Sequence, residues 1–350
     1  MEDGDSGGGP LGIQYAESDS LCRTTQHQGG CDILPKTPRI VYLAGLGRSG
    51  TTLLERLLGQ FDGVCPAGEV VHMWQRGVRE GERCGCGEPF PACSFWQQVG
   101  MTAFAGWDKV DVDRVARLRA SVDRFRFVPL LTTAASRRAF LPGFDEYMAY
   151  YLRTYAAIAD VSHSDVVIDS SKHASLAYCL GSCPGLDLRV VHVIRDSRAV
   201  AYSWSRIVQR PETMTETHIA TYSAASAAIR WNLQNAALQL LSQLGTPTLR
   251  VRYEDLMRDP RTKLREIAAF IGLSENSGLE FLHADERGDW WADLGVAHTA
   301  SGNPMRFIAG RIPIRSDDNW RTAMLASKRR TVTALTIPLL GRYGYAGRRS

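Results

Sequence analysis

The chain has 350 residues, of which 44% are hydrophobic, so it is long and apolar enough for one large or two modest globular domains. Its formal net charge of +4 and its short basic run at residues 328–330 argue against a nucleic-acid-binding surface. No apolar run reaches the roughly 18 residues of a membrane span, and the acidic, glycine-rich start does not resemble a secretory signal, which predicts a cytoplasmic protein.

Residues 1–35 are rich in Gly, Ser, Asp and Gln and have no periodic apolar pattern, so we predict a disordered N-terminal tail. We expect residues 36–350 to form the folded domain. It begins with a short apolar strand at 40–44, followed by a glycine-rich turn and an amphipathic helix at about 51–60.

The turn between this strand and helix has the features of an anion-binding loop. The frame from Gly45 to Thr52 matches the nucleotide-binding pattern G-x-x-x-x-G-K-S/T at both glycines and at the final hydroxyl, but Thr51 occupies the lysine position. Backbone amides, the helix N-terminus and the hydroxyls of the loop favour an anion. Because Thr51 cannot reach the β- and γ-phosphates as lysine does, and the strong cation is Arg48, the loop suits a terminal group with less charge than a triphosphate and no bound metal.

Residues 74–160 are mostly helical and aromatic in pattern, with helices predicted at 110–127 and 144–162. An insertion of this kind between two core strands commonly forms one wall of a ligand site. We therefore expect it to shape the acceptor site, although an ordinary helical cap would have the same pattern.

Three cysteines, Cys84, Cys86 and Cys93, lie close together at the start of this insertion. A closed zinc site needs a fourth ligand, and Cys65 or His72 would supply it. Neither spacing is diagnostic. A zinc site, a local disulfide and a compact turn with free thiols all stay open.

The rest of the chain alternates strands and helices, which calls for a parallel sheet covered by helices on both faces. We therefore predict a three-layer α/β fold with a P-loop-like parallel sheet. The predicted strands are at 165–169, 188–194 and 247–253, and the predicted helices begin near Ser197, span about 217–243, and cover 261–271 before Gly272.

The segment GRSGTTLL, at residues 47–54, resembles the 5′-phosphosulfate loop of sulfotransferases that use 3′-phosphoadenosine 5′-phosphosulfate, in the arginine form of tyrosylprotein, carbohydrate and many bacterial members. This resemblance implies that the loop holds the 5′-phosphate and the sulfuryl group. It assigns the position of the catalytic cation to Arg48. The implied nucleotide-binding residues of the loop are Gly47, Arg48, Ser49, Gly50, Thr51 and Thr52.

A second segment, residues 191–204, is similar to the family's 3′-phosphate site. There an arginine at the end of a strand and a serine eight residues later hold the 3′-phosphate, and these are Arg195 and Ser203 here. We expect Ser203 to lie early on the following helix, where the helix dipole favours an anion.

Two weaker similarities follow. Residues 250–273 resemble a stretch in which the tyrosine after the strand, here Tyr253, lies near the adenine. Residues 298–307 resemble a C-terminal segment of bacterial sulfotransferases that closes over the nucleotide, which would make Arg306 a further 3′-phosphate ligand. The turn of this segment would be Ser301, Gly302 and Asn303.

Sulfuryl transfer to a hydroxyl needs a base for the proton and cations where the bridging oxygen gains charge. Lys172, at the end of a predicted strand, matches the lysine that similar enzymes place on the leaving oxygen. Glu69 follows Arg48 by 21 residues, as the catalytic glutamate does in tyrosylprotein-type enzymes, and is the expected base. His173 is the alternative base, although it follows Lys172 directly, whereas the corresponding histidine of other members lies two residues after the lysine.

The resemblance therefore implies a sulfotransferase that moves a sulfuryl group from 3′-phosphoadenosine 5′-phosphosulfate to a hydroxyl of a small molecule, sugar or lipid, leaving 3′,5′-adenosine bisphosphate. It implies no metal ligand at the reaction site. Two other functions stay open. One is a P-loop small-molecule kinase with Asp169 as the Mg²⁺ ligand, and the other is a non-catalytic nucleotide-binding module. The acceptor and the oligomeric state are not predicted.

Overall fold

The structure is a computed structural model of the chain, and it describes residues 38–206, 221–274 and 278–346. These residues belong to one compact unit, residues 37–350. The tail predicted for residues 1–35 lies outside the described residues, as does the first part of the helix predicted for 217–243.

The centre of the fold is a parallel sheet of five strands in the order β2-β3-β1-β4-β5. The middle strand pairs on both sides, since Ile40 lies opposite Leu188 of one neighbour and Val167 of the other. This sheet confirms the predicted α/β fold class. The strands are β1 (Arg39–Ala44), β2 (Val64–Gly68), β3 (Val166–Lys172), β4 (Leu188–Ile194) and β5 (Thr248–Arg252).

The sheet has a core on each face because successive side chains of a strand point to opposite sides. Along β1, Ile40, Tyr42 and Ala44 belong to one buried cluster, and Val41 and Leu43 belong to the other. All five residues are fully buried, as expected for a central strand of a parallel sheet. Helices on both faces complete the three layers.

The chain between β2 and β3 is mainly helical and packs on the face that contains Ile40. Its α-helices are α2 (Val70–His72), α3 (Ser94–Phe104), α4 (Val112–Val122), α5 (Val128–Leu131), α6 (Ala134–Phe140) and α7 (Phe144–Ser162), with a π-helix at Met73–Arg79. The other α-helices are α1 (Thr51–Leu58), α8 (Ala174–Gly181), α9 (Ser197–Ser205), α10 (Ala224–Gln243), α11 (Tyr253–Arg258), α12 (Pro260–Phe270), α13 (Trp320–Ala323) and α14 (Ala326–Arg342). Among the described residues, no helix is both long enough and apolar enough to span a bilayer.

A second, antiparallel sheet of three strands was not expected from the sequence. Its strands are β6 (Leu282–Ala284), β7 (Trp290–Leu294) and β8 (Gly310–Ile314), in the order β6-β7-β8. Leu282, Ala292 and Ile312 from its three strands join the buried cluster on the face of α1. The segment between β7 and β8 is thereby held beside the carboxyl end of β2.

Candidate active site

An open cleft of about 1470 Å³ lies where the central strands end. Ligands of open parallel sheets bind at this edge. The loop after β1, the last residues of β3 and the residue after β4 all border the cleft. Of the residues assigned from the sequence, those that line it are Gly47, Arg48, Gly50, Thr51, Thr52, Glu69, Lys172, His173, Arg195, Ser203, Tyr253, Gly302 and Asn303.

The loop after β1 presents backbone and hydroxyl groups to the cleft. Gly50 precedes the first residue of α1 with φ +89°, and a Cβ there would lie 2.5 Å from the ring of Tyr253. This position therefore requires glycine for both its conformation and its space. Thr51 and Thr52 open the helix beside it, and the buried Ser49 hydroxyl has no hydrogen-bond partner among the described residues. A buried hydroxyl without a partner in the described part of the chain and a helix N-terminus fit an anion.

Arg48 is held at the cleft by its neighbours. Its guanidinium lies over the ring of Trp204, 5.2 Å from the centroid, and Trp204 Nε1 donates to the carbonyl of Gly47 at 2.9 Å. Burial lowers the pKa of Arg48 and the nearby carboxylate of Glu69 opposes this effect. Trp204 was not assigned a role from the sequence, although it is the last residue of the segment that resembles the 3′-phosphate site.

Arg195 immediately follows β4, and its side chain lines the cleft although it is only 8% exposed. It donates to the carbonyl of Arg48 at 3.1 Å and to that of Asp317 at 2.9 Å, and its guanidinium lies 4.5 Å from the centroid of the Tyr253 ring. Arg195 therefore joins the anion-binding loop to the tyrosine after β5. Arg315 also lines this side of the cleft, and the sequence analysis did not single it out.

Ser203 lines the cleft, but its position on the helix differs from the expectation. It is the seventh of nine residues in α9, so it lies near the C-terminal end and not in the first turn. The positive end of the helix dipole therefore does not favour an anion at Ser203. Its hydroxyl would contribute hydrogen bonding alone.

Lys172 and Glu69 form an ion pair across the cleft wall, from the end of β3 to the residue after β2. Their side chains are 12% and 15% exposed. The ammonium group also donates to the carbonyl of Ser170 at 3.0 Å. A cation and a carboxylate are thus held together beside the anion-binding loop.

This pair controls the acidity of Glu69. Burial alone would raise its pKa, but the charge and hydrogen bond of Lys172 stabilise the carboxylate, and the pKa falls to about 2. Glu69 is therefore ionised at neutral pH and is a weak base while Lys172 contacts it. His173 lines the same cleft, with its ring 5.6 Å from that of His72, and burial lowers its pKa.

Glu55, which the sequence analysis did not single out, lies buried in α1 behind this pair. Its carboxylate accepts from the amide of Gly68 at 2.7 Å and from the hydroxyl of Ser170 at 2.8 Å. Gly68 directly precedes Glu69, and Ser170 lies two residues before Lys172. Burial raises the pKa of Glu55 to about 7, although the Ser170 hydrogen bond and Lys172 lower it. Glu55 thus supports the backbone that carries both members of the pair.

Arg306 lies away from the cleft, in contrast to its expected role at a 3′-phosphate. Its side chain is 1% exposed, and it donates to the carbonyls of Thr299 at 2.8 Å and Arg83 at 2.6 Å. These contacts hold the segment after β7 against the insertion, so the arginine serves the fold. Two residues of the same predicted turn, Gly302 and Asn303, do line the cleft.

Asp169, which would be the Mg²⁺ ligand if the protein were a kinase, is fully buried. Its carboxylate accepts from the amide of Ser171 at 2.7 Å and from the hydroxyl of Tyr155 at 2.5 Å. Burial raises its pKa to about 6. It does not line the cleft.

Comparison with known proteins identifies the family of the chain. A model described as the sulfotransferase family matches residues 38–277. Carbohydrate sulfotransferase 6 of Homo sapiens is 30% identical over 212 residues, which cover 55% of this chain and 51% of that protein. Carbohydrate sulfotransferase 5 of Mus musculus is 35% identical over 127 residues, which cover 32% of each chain. The chain therefore spans about half of the first relative and about a third of the second.

Among solved structures, the sulfotransferase domain of the Synechococcus PCC 7002 olefin synthase is 21% identical, with a TM-score of 0.46, over 90% of this chain and 98% of that one. The family model itself matches well over half of the present sequence. The chain is therefore a member of the sulfotransferase family.

Proposed function

We propose that this protein transfers a sulfuryl group from 3′-phosphoadenosine 5′-phosphosulfate to an acceptor hydroxyl. The observation that carries the proposal is the cleft itself, which is lined by an anion-binding loop, by a separate arginine after β4, and by a cation and carboxylate pair. A donor with phosphate at both ends of an adenosine needs two such anion sites.

In the proposed donor site, the loop from Gly47 to Thr52 binds the 5′-phosphosulfate, and Arg195 with Ser203 binds the 3′-phosphate. Tyr253 lies between them, with its ring against both Gly50 and Arg195, and offers a flat surface to the adenine. Arg306 is not part of this proposed site, because its guanidinium is buried and donates to backbone carbonyls.

The donor supplies an activated sulfuryl group, and the chain supplies charge and a base. Arg48 and Lys172 stabilise the negative charge that develops as the bond between sulfur and the bridging oxygen breaks. Glu69 accepts the proton of the acceptor hydroxyl as that oxygen bonds to sulfur. Because Lys172 is the main cause of the low pKa of Glu69, any movement of Lys172 toward another anion raises that pKa and makes Glu69 a better base.

For the acceptor, we propose a carbohydrate hydroxyl as the first class to test, because the curated relatives are named as carbohydrate sulfotransferases. Asp123, Arg124 and Phe125 from the insertion line the cleft beside the histidines and form a mixed polar and aromatic wall. Such a wall suits a polyhydroxylated ring. Small molecules and lipids with a hydroxyl group are the other acceptor classes to be tested.

The cytoplasmic location expected from the sequence stays a prediction that cell fractionation would test.

The donor is tested by calorimetry on the purified protein with 3′,5′-adenosine bisphosphate and with ADP, each with and without Mg²⁺. We expect the bisphosphate to bind at least about tenfold more tightly than ADP, with no dependence on Mg²⁺. Equal affinities, or binding of ADP that requires Mg²⁺, would instead favour a kinase.

Transfer itself is tested by mass spectrometry of acceptors incubated with the donor. We expect sulfated product with the wild type and a loss of product with Arg48→Ala and Lys172→Ala. A protein that binds the bisphosphate but modifies none of the acceptor classes would be the non-catalytic module.

A further inference from the structure

A group of four potential metal ligands lies outside the cleft, between the insertion and the segment after β7. The group consists of Cys84, Cys86, Cys93 and His298, and its three sulfurs and one ring nitrogen all lie within 4.8 Å of one another. Cys84 and Cys93 are buried, and the other two residues are half-buried. We call these four residues the Cys3His cluster.

The distances within the Cys3His cluster match a tetrahedral zinc site. With zinc bonds of about 2.3 Å to sulfur and about 2.0–2.1 Å to nitrogen, a tetrahedron places two sulfurs about 3.8 Å apart and a sulfur and a nitrogen about 3.6 Å apart. The sulfurs of Cys86 and Cys93 are 3.8 Å apart. The Nδ1 atom of His298 lies 3.8 Å from Cys84 Sγ and 3.3 Å from Cys93 Sγ. These three distances are close to those of the tetrahedron, and every other pair of ligand atoms in the Cys3His cluster lies within 4.8 Å.

The surroundings hold these ligands in place. The amide of Cys84 donates to the carbonyl of Glu88 at 2.8 Å, and the amide of Cys93 donates to the carbonyl of Pro89 at 3.0 Å. These hydrogen bonds fix the turn that carries the cysteines. The ring of His298 stacks on that of Phe95, with the centroids 5.0 Å apart and the planes at 16°.

The fourth ligand is neither of those considered from the sequence. Cys65 belongs to β2, and His72 lies 3.6 Å from Glu69 at the cleft. His298 instead comes from a segment more than 200 residues beyond the cysteines in the chain. The cysteine thiols are free, which agrees with a metal site and not with a disulfide.

We propose that the Cys3His cluster binds one structural Zn²⁺. Three thiolates and one imidazole are a ligand set typical of zinc, and four protein ligands leave no open position for chemistry. The ion would fasten the insertion to the segment after β7. That segment in turn contacts the cleft, since Ala300 donates to the carbonyl of Ala67 at 2.9 Å and Glu69 donates through its amide to the carbonyl of Ser301 at 3.3 Å.

Close packing at Gly85 also holds the insertion against the segment after β7, independently of any metal. A Cβ at Gly85 would lie 2.4 Å from the carbonyl oxygen of Ala297 and 2.4 Å from Oγ1 of Thr299. The amide of Gly85 also donates to the carbonyl of Thr299 at 3.0 Å. The backbone between Cys84 and Cys86 is thus seated directly against the residues that flank His298.

The test is the metal content of the purified full-length protein, measured by mass spectrometry after loading with zinc and gel filtration in a weak chelator that removes surface-bound metal. We expect about one zinc per chain. Loading with Co²⁺ in place of zinc gives thiolate-to-metal and tetrahedral absorption bands. A wild type that retains no zinc and shows no such bands overturns the proposal.

Variants assign the ligands. Cys86→Ser and His298→Ala reduce the zinc content at least about fivefold, whereas His298→Cys, which restores a fourth ligand, retains it. Cys183→Ser is the matched control, because Cys183 is also a half-buried free cysteine but lies outside the Cys3His cluster; its zinc content is unchanged. Equal losses in Cys183→Ser and Cys86→Ser, or full retention of zinc in both Cys86→Ser and His298→Ala, would show that the metal lies elsewhere.

Discussion

Arg48 and Lys172, the two proposed catalytic cations, both have backbones in the left-handed region, with φ +76° and +72°. This conformation costs non-glycine residues of order 1–3 kcal/mol and persists where the surrounding structure enforces it, often at functional sites. At Lys172 the cause is visible. The register between β1 and β3 shifts near the ends of the two strands, between the pairs of Tyr42 and Ala44. Such irregularities redirect side chains next to ligand sites.

We expect Lys172→Ala to lower kcat by about 10²–10³ while the dissociation constant of 3′,5′-adenosine bisphosphate changes less than about threefold, because the ammonium group acts on charge that develops only during transfer. Steady-state kinetics and calorimetry measure the two effects separately. Lys109→Ala is the control, since this lysine is 65% exposed and pairs with a neighbouring aspartate. A kcat equal to that of the control would remove Lys172 from the mechanism.

The low pKa of Glu69 predicts how the stability of the fold changes at acidic pH. Its folded-state pKa of about 2 lies below the ordinary value of 4.5, so its contribution to folding is fully present above about pH 4.5 and is lost as the pH falls toward 2. The difference between these two pKa values corresponds to about 3 kcal/mol of folding free energy. Glu69→Gln should therefore lower the free energy of unfolding by about 2–3 kcal/mol at pH 7 and by roughly half of that at pH 3. Urea unfolding of both proteins across this range measures the difference, and a difference that is constant with pH would show that the Lys172 pair does not stabilise the fold.

At the scale of elements, the parts that position the donor site were predictable because their signals are local. The strand at 188–194 has five apolar residues among its seven, four of them β-branched, and the helix at 144–162 has regular apolar spacing; the predicted bounds of both agree with the observed ones. The strand β2 was missed because Val64–Gly68 contains a proline and a glycine. It is an edge strand, where a proline is tolerated. The strands β6, β7 and β8 were missed because β6 has only three residues, β7 contains Asp293, and β8 contains Gly310 and Pro313, which are residue types that strands disfavour.

Two glycines with positive φ, one in the loop after β1 and one elsewhere, allow the effect of backbone strain to be measured separately from the effect on ligand binding. Gly50→Ala introduces a Cβ into the ring of Tyr253 at a left-handed position, whereas Gly63→Ala introduces one at φ +73° with no atom within 4 Å. Both variants should lose about 1–2 kcal/mol of stability through strain. Only Gly50→Ala should also weaken binding of 3′,5′-adenosine bisphosphate, by at least about tenfold, because Tyr253 must move.

Denaturant unfolding and calorimetry on the two alanine variants measure these effects side by side. Equal bisphosphate affinities in Gly50→Ala and Gly63→Ala would mean that the contact between the loop and Tyr253 does not shape the nucleotide site.

At the scale of the whole molecule, the cleft depends on contacts between segments that are far apart in the chain. Arg56 of α1 donates to the carbonyl of Ile308 at 2.9 Å and also contacts the carbonyls of Gly295 and Arg306. Arg306 continues this network to Thr299 and Arg83. The sequence alone could not reveal these partners, or the place of His298 in the Cys3His cluster, because neither spacing nor periodicity records which distant carbonyl or thiol a side chain will meet. A buried arginine and a phosphate-binding arginine look the same in a sequence.

Arg306 and Arg195 are therefore expected to have different roles: Arg306 stabilises the fold, and Arg195 binds the nucleotide. Arg306→Ala removes hydrogen bonds from a buried, charged donor to two backbone carbonyls and should lower the free energy of unfolding by about 2–4 kcal/mol. The preference for 3′,5′-adenosine bisphosphate over adenosine 5′-phosphate should stay within about twofold of the wild type in that variant. Arg195→Ala should reduce the same preference at least about tenfold, because its guanidinium reaches the cleft and, in the proposed donor site, supplies charge-assisted hydrogen bonds to the 3′-phosphate. Calorimetry with both nucleotides, at a temperature where each variant is folded, distinguishes the two roles. If the preference is lost in Arg306→Ala and kept in Arg195→Ala, the 3′-phosphate lies beside the C-terminal segment and the proposed donor site is misplaced.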